Sequence, residues 1–263
     1  MKTLRRLLFM TFCASFLTAA GCGAPSPRAF KIYYGDATPA AVAALQHYPL
    51  VIIEPGGWPA KQVQRLRAAG VQVFGYVNVL EMAPEYRLPP SAQLRLKGRP
   101  VAVPQWGTTL MDLRQPAVQA ALAAKIQRIA AHRYTGVMLD TVGDIDDYLT
   151  GHPRVQTDLR RTLADWLQHQ QHRHPKLAWL QNWGFLTYQQ ATRGLVDGIL
   201  WEDFSAPKIA ADAWSQRWLD YFDRTQTPVY VVCPDIASLY YAQELGLHHA
   251  RNADDHYDQL TKE

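Results

Sequence analysis

Gly136-Val137-Met138-Leu139-Asp140-Thr141 is an apolar run that surfaces on a carboxylate, and Gly198-Ile199-Leu200-Trp201-Glu202-Asp203 repeats the pattern about 60 residues later. Runs that are continuously hydrophobic rather than alternating are the mark of strands covered on both faces. Similar runs occupy Phe30 to Tyr34, Leu50 to Glu54, Val71 to Val79, Thr109 to Leu113, Leu177 to Asn182 and Pro228 to Cys233. Between them the apolar residues take helical spacing: Val118, Leu122, Ile126 and Ile129; Leu159, Leu163, Trp166 and Leu167; Trp214, Trp218 and Phe222. Gly70, Gly136 and Gly198 each stand before a strand, where the pattern predicts a helix stopping on a residue that tolerates positive φ. Eight strands alternating with helices, with no break in composition, predict one α/β domain over 30–263, a (β/α)8 TIM barrel rather than an open doubly wound sheet. The segment from Leu80 to Gly107 carries Pro84, Pro89, Pro90, Pro100 and Pro104 and reads as a long irregular excursion walling the active face.

The amino terminus stands apart from this series. Lys2, Arg5 and Arg6 precede an apolar run from Leu7 to Ala20, a secretory leader too short to span a bilayer stably. Ala19-Ala20-Gly21-Cys22 resembles a bacterial lipobox, with Ala19 where Leu is usual, so residues 1–22 are expected to be a lipoprotein-type signal and Cys22 the lipidated residue. Simple cleavage nearby is the alternative. Residues 23–29, with Gly-Ala-Pro-Ser-Pro, form a tether, and the expected location is exported, held in the periplasm or outer membrane by the lipid, otherwise secreted. The leader takes three of the 27 basic residues and none of the 23 acidic ones, so the formal net charge falls from +4 to +1. That near-neutral balance gives no support to a nucleic-acid partner. Of the three cysteines only Cys233 remains in the folded part, so no internal disulfide is possible, and it is expected to pack as a small hydrophobe.

In a barrel of this kind the carboxyl ends of the strands point into the site. Here they are acidic and aromatic: Tyr34-Gly35-Asp36, Glu54, Tyr76-Val77-Asn78 with Glu81 beyond, Asp140, Gln181-Asn182-Trp183 and Glu202-Asp203. Two carboxyl groups facing each other across one bond are the equipment of glycoside hydrolysis, and crowding carboxylates into one mouth raises the pKa of at least one. Asp36, Glu54 and Glu81 divide evenly between substrate contact and buried support. Trp58, Trp106 and Trp183, on rim loops, are expected to offer ring faces to sugar, whereas Trp214 and Trp218 at i and i+4 are expected in the core. Asp140 has a rival reading as a helix N-cap, and Glu202 has no obvious structural one. His169, His172 and His174, like His248 and His249, match no zinc spacing and are expected on solvated surface. There is neither a Gly-rich phosphate loop nor a nucleophile elbow, and neither metal nor organic cofactor is implied.

Several of these segments together resemble the endo-α-1,4-polygalactosaminidase barrels of glycoside hydrolase family 114, and still more the hydrolase domains of bacterial Pel exopolysaccharide proteins. They are Tyr33-Tyr34-Gly35, Val51-Ile52-Ile53-Glu54-Pro55, Gly75-Tyr76-Val77-Asn78-Val79-Leu80-Glu81, Leu139-Asp140-Thr141 and Asn182-Trp183-Gly184-Phe185. The resemblance implies a retaining endo-glycosidase of α-1,4-linked galactosamine or N-acetylgalactosamine polymers. Asp140 would be the nucleophile and Glu202 the general acid/base, with the exchanged roles as the alternative. Two positions depart from the family pattern: Gly143 followed by Asp144, and Cys233-Pro234 before Asp235, where the family carries acids suited to a cationic sugar. The substrate contacts expected are Tyr34, Asp36, Glu54, Tyr76, Asn78, Glu81, Trp106, Asp144, Asn182, Trp183, Asp203 and Asp235. The partner expected is a polysaccharide, with exopolysaccharide export machinery as a second partner. The rival readings are a barrel that binds polysaccharide without cutting it, and a glycosidase of a neutral α-galactoside or α-glucan.

Overall fold

A computed structural model describes residues 28–253 and 256–260; the leader, Cys22 and most of the tether lie outside the described residues. The sheet strands are β1 Phe30–Tyr33, β2 Leu50–Ile53, β3 Gln72–Asn78, β4 Gly136–Asp140, β5 Ala178–Asn182, β6 Gly198–Trp201, β7 Val229–Cys233 and β8 His248–Arg251. All eight are parallel and pair in chain order. Ala29 bridges His249, whose backbone N–H donates to the Arg28 carbonyl at 3.0 Å, so the sheet nearly closes on itself. The helices around it are α1 Pro39–Leu45, α2 Ala60–Ala68, α3 Pro116–Ala131, α4 Asp144–Asp147, α5 Pro153–Arg173, α6 Phe185–Thr187, α7 Ala206–Ala211, α8 Ala213–Thr225 and α9 Ile236–Glu244. This is the (β/α)8 barrel that the sequence predicts. None of the described helices is long and apolar enough to cross a membrane.

The period of two along each strand sorts its side chains between two cores. Phe30, Ile32, Leu50, Ile52, Phe74, Met138, Leu180, Leu200, Val232 and Ala250 point inward and fill the barrel. The alternate residues, among them Val51, Ile53, Val73, Val77, Val137, Leu139 and Trp179, face the helices. Two residues beyond Phe74, Met138, Leu180 and Leu200 on the inward face come Tyr76, Asp140, Asn182 and Glu202. The alternation that packs the barrel therefore also selects which residues emerge at its mouth.

One expected strand is corrected and one unexpected strand takes its place. Thr109 to Leu113 is no barrel strand, because β3 pairs directly with β4, Asn78 opposite Asp140. Its apolar residues Leu110, Met111 and Leu113 are buried beneath the 80–113 excursion, which folds two short hairpins, Arg95–Leu96 with Arg99–Pro100 and Ala102–Val103 with Thr108–Thr109. The eighth strand is instead His248–Arg251. Its histidines are not solvated: His249 is buried, its ring bonded to Gln243 and the Leu247 carbonyl, and His248 stacks on Tyr230 at 4.3 Å. Among the three glycines before strands, Gly70 has the expected positive φ, 89°, but Gly136 and Gly198 do not. Gly136 answers to close approach, since a Cβ there would lie 2.3 Å from the Phe74 ring and 2.6 Å from the Ala178 carbonyl oxygen. The left-handed turn after α3 falls on Arg133, φ 63°.

Candidate active site

Strands β4, β5 and β6 hand over to their loops in the same way. Asp140, Asn182 and Glu202 are followed by Thr141, Trp183 and Asp203, non-glycine residues in the left-handed region at φ 64°, 52° and 55°. Each such residue costs on the order of 1 kcal/mol or more, and strain of this kind concentrates at functional sites. Local bonds offset it. The Thr141 hydroxyl accepts from the Leu80 N–H at 2.9 Å and donates to the Asp140 carbonyl at 2.6 Å, and the Trp183 ring stacks on Phe185 at 5.2 Å.

The side chains so presented converge. The Asn182 amide Nδ2 donates to Asp140 Oδ1 at 2.8 Å and to Glu202 Oε2 at 2.7 Å. Its two hydrogens diverge by about 120°, which sets those carboxyl oxygens roughly 4.8 Å apart. Tyrosines flank the pair on either side: burial and the Asp140 charge hold the Tyr76 phenol in its neutral form, and the phenol of Tyr257 donates to Glu202 Oε1. Tyr34 lies between these tyrosines, with ring centroids 5.0 Å from Tyr76 and 5.2 Å from Tyr257. Burial raises the pKa of Glu202, the Asp140 charge adds to it, and the bonds from Tyr257 and Asn182 oppose it.

This pair sits in a cleft of about 590 Å³ lined also by Asn78, Glu81, Gln105, Trp106, Asp144, Asp147, Tyr148, Trp183 and Asp203. Glu81 and Asp144 form a second acidic group. Burial, then the charge of Asp140, pushes Glu81 up to about 7; burial, then the charges of Glu81, Asp140 and Asp147, pushes Asp144 up to about 8. Asp144 Oδ2 is buried without a hydrogen-bond partner. Its neighbour Asp146 turns the other way, accepting from Arg160 and from the Leu186 and Thr187 amides, and so ties α4 to α5 and α6. Among the described residues no set of His, Cys, Asp or Glu is placed to hold a metal ion.

The structure brings Tyr34, Tyr76, Asn78, Glu81, Trp106, Asp140, Asp144, Asn182, Trp183, Glu202 and Asp203 to the cleft. Asn78 is largely committed to the fold: its Oδ1 accepts from the Leu80 and Glu81 amides and its Nδ2 donates to the Glu81 carbonyl. Three expected contacts lie outside. Glu54 caps the turn after β2 through Gly56 N–H and faces Lys125 Nζ at 3.6 Å. Asp36 lies exposed against Gly57, and Asp235 caps α9 by accepting from Ser238 N–H. Trp58 is buried, its indole donating to the Gly35 carbonyl, so it offers no ring to the cleft, whereas Trp214, expected in the core, is 41% exposed. Sequence reading missed Tyr257, Gln105, Asp147 and Tyr148. The spacing of Asp144 and Asp147, one helical turn apart, was the available signal for Asp147; Tyr257 lies beyond the last strand with none.

The model of glycoside-hydrolase family GH114 matches residues 16–227 of this sequence. The chain belongs to this family and is a glycoside hydrolase. The GH114 barrel superposes on the glycoside hydrolase domain of PelA from Pseudomonas aeruginosa with a TM-score of 0.73 at 19% identity, over 88% of this chain and 96% of that one. It is also similar to Aspergillus fumigatus Ega3 in complex with galactosamine, TM-score 0.64 at 10% identity, over 93% and 97% of the two chains. Comparison with curated protein sequences gives no match.

Proposed function

We propose that the protein cleaves an α-1,4-linked polymer of galactosamine and N-acetylgalactosamine within its chain, with retention of anomeric configuration. The observation that carries the reading is the Asn182 amide donating to both carboxyls, at 2.8 and 2.7 Å, which by the divergence of its two N–H bonds puts the accepting oxygens roughly 4.8 Å apart. That spacing lies near the about 5 to 5.5 Å of a retaining pair and below the about 6.5 to 9.5 Å at which an inverting pair admits its water, which supports retention. Asp140 attacks the anomeric carbon, forming a glycosyl ester as the bond to the leaving oxygen breaks, and Glu202 protonates that oxygen. Water then attacks the same anomeric carbon, breaking its bond to Asp140, which leaves as carboxylate, while Glu202 takes the water's proton. Glu202 receives the proton-carrying role because burial and the Asp140 charge favour its neutral form.

The sugar class is read from the second acidic group. Asp144 and Glu81 are carboxyls whose ionisation the cleft opposes, and a sugar ammonium placed beside them would relieve both. Trp106, 63% exposed and lining the same cleft, offers a face for a sugar ring. The charged leader and Cys22 support export with a lipid anchor, which would place the enzyme beside exopolysaccharide and its export machinery. The test is digestion of partly deacetylated galactosaminan, a fully acetylated form and an uncharged α-glucan by wild type, D140N and E202Q. Cleavage of the deacetylated polymer by wild type, with more than about a thousandfold loss in each variant, is expected. Cleavage of the glucan alone would overturn the substrate class, and binding without cleavage would overturn the enzymatic reading of this cleft.

A further inference from the structure

The last strand ends at Arg251, yet the chain returns across the barrel mouth. Segment 256–260 lies against β1: the Tyr257 carbonyl accepts from the Tyr34 backbone N–H at 2.6 Å, the two rings meet edge to face, and Leu260 packs on the outer core. Within the cleft the Tyr257 phenol donates to Glu202 Oε1, while Asn182 from β5 holds Oε2. Both oxygens of one carboxyl are thus held by donors from separate parts of the chain, one of them supplied after all eight strands are complete. Residue 257 also falls outside the 16–227 stretch on which the family was recognised.

We propose that Tyr257 is a positioning residue for glycoside cleavage, fixing the Glu202 carboxyl toward Asp140 and easing release of its proton. This rests on Glu202 being the proton carrier. The charged and titratable groups facing Glu202 are Asp140 on β4, Asp203 beside it, the phenol of Tyr34 just after β1, and Tyr257 itself, with Tyr76 of β3 lining the same cleft. Burial and the two aspartates all favour the neutral acid; only Tyr257 and Asn182 favour the carboxylate. Without the phenol the carboxyl becomes a weaker acid, slower to protonate the leaving oxygen in the first step. The ring, retained in a phenylalanine, preserves the packing on Tyr34, so proton transfer and packing are separable.

The experiment measures kcat, KM and the pH profile of kcat/KM on partly deacetylated galactosaminan for wild type, Y257F, and protein carrying 3-fluorotyrosine at 257, whose more acidic phenol donates a stronger bond. Loss of one bond to an ionised group moves the alkaline limb of Y257F upward by about one pH unit, with kcat down about tenfold and KM little changed. The fluorinated phenol moves the limb the other way. A tyrosine that merely packs the tail would alter the melting temperature and leave both limbs in place, and that result overturns the inference while an active wild type leaves the glycosidase assignment standing. Should Y257F fail to fold, the fluorotyrosine form alone decides. A wild type without activity brings down the catalytic assignment and this inference together.

Discussion

Replacing Asp144 with Asn should stabilise the protein, and by more as pH rises. The carboxyl ionises near 3.8 when exposed and at about 8 in the fold, because burial and then the charges of Glu81, Asp140 and Asp147 oppose its charge. The native state therefore holds this proton more tightly than the unfolded chain, and stability falls as pH climbs from about 4 to about 8. At about 1.4 kcal/mol per pH unit the ceiling on that loss is on the order of 5 kcal/mol, and screening at the cleft mouth reduces it to about 2 to 3 kcal/mol. D144N removes the effect: the gain is about 2 to 3 kcal/mol at pH 8.5 and under about 1 kcal/mol at pH 5, where the native carboxyl is already neutral. Urea unfolding at both pH values, with the slope checked for constancy, measures it. A deacetylated galactosamine oligomer, whose ammonium takes over the same compensation, should stabilise wild type more than D144N. An equal gain at both pH values, or a loss at pH 8.5, would refute the reasoning about this acid.

Other consequences are as direct. Asn182→Ala removes the amide that donates to both carboxyls and should lower kcat by about 100- to 1000-fold with the fold retained, read by steady-state kinetics and circular dichroism. Asp146→Ala leaves the buried Arg160 guanidinium without its carboxylate and should cost about 3 to 5 kcal/mol in a denaturant titration, although Asp146 lies outside the cleft. Gly136→Ala drives a methyl into Phe74 and the β5 backbone and should cost about 3 kcal/mol or more, lowering the melting temperature without altering the pH profile of the remaining activity.

The barrel was legible because its strands are apolar on both faces and its mouth follows from the period of two. Once Gly136 to Asp140 is read as a strand, Asp140 must share the inward face with Met138, and the same parity delivers Asn182 and Glu202. Reading failed where tertiary context overrides local pattern. Thr109 to Leu113 is as apolar as a strand because it cores the excursion, while His248–Arg251 hides as a strand because His249 finds partners in Gln243 and Leu247. Glu54 has the right parity to reach the mouth, but Pro55 starts a tight turn that bends its carboxyl back to the Gly56 amide. Tyr257 could not be read at all, since an irregular tail carries no periodicity and only three-dimensional return to β1 brings its phenol to Glu202. Asp235 marks the same limit from the other side: an acid after a strand is equally a helix cap, and here it caps.

The central claim is that Asp140 and Glu202 oppose each other closely enough for one to attack sugar carbon while the other serves the leaving oxygen. Proton NMR of a fresh galactosaminan digest, recorded faster than the new reducing ends mutarotate, reports it directly. The arrangement predicts that the α-anomer appears first and the β-anomer grows in later; β-anomer as the first product would contradict it.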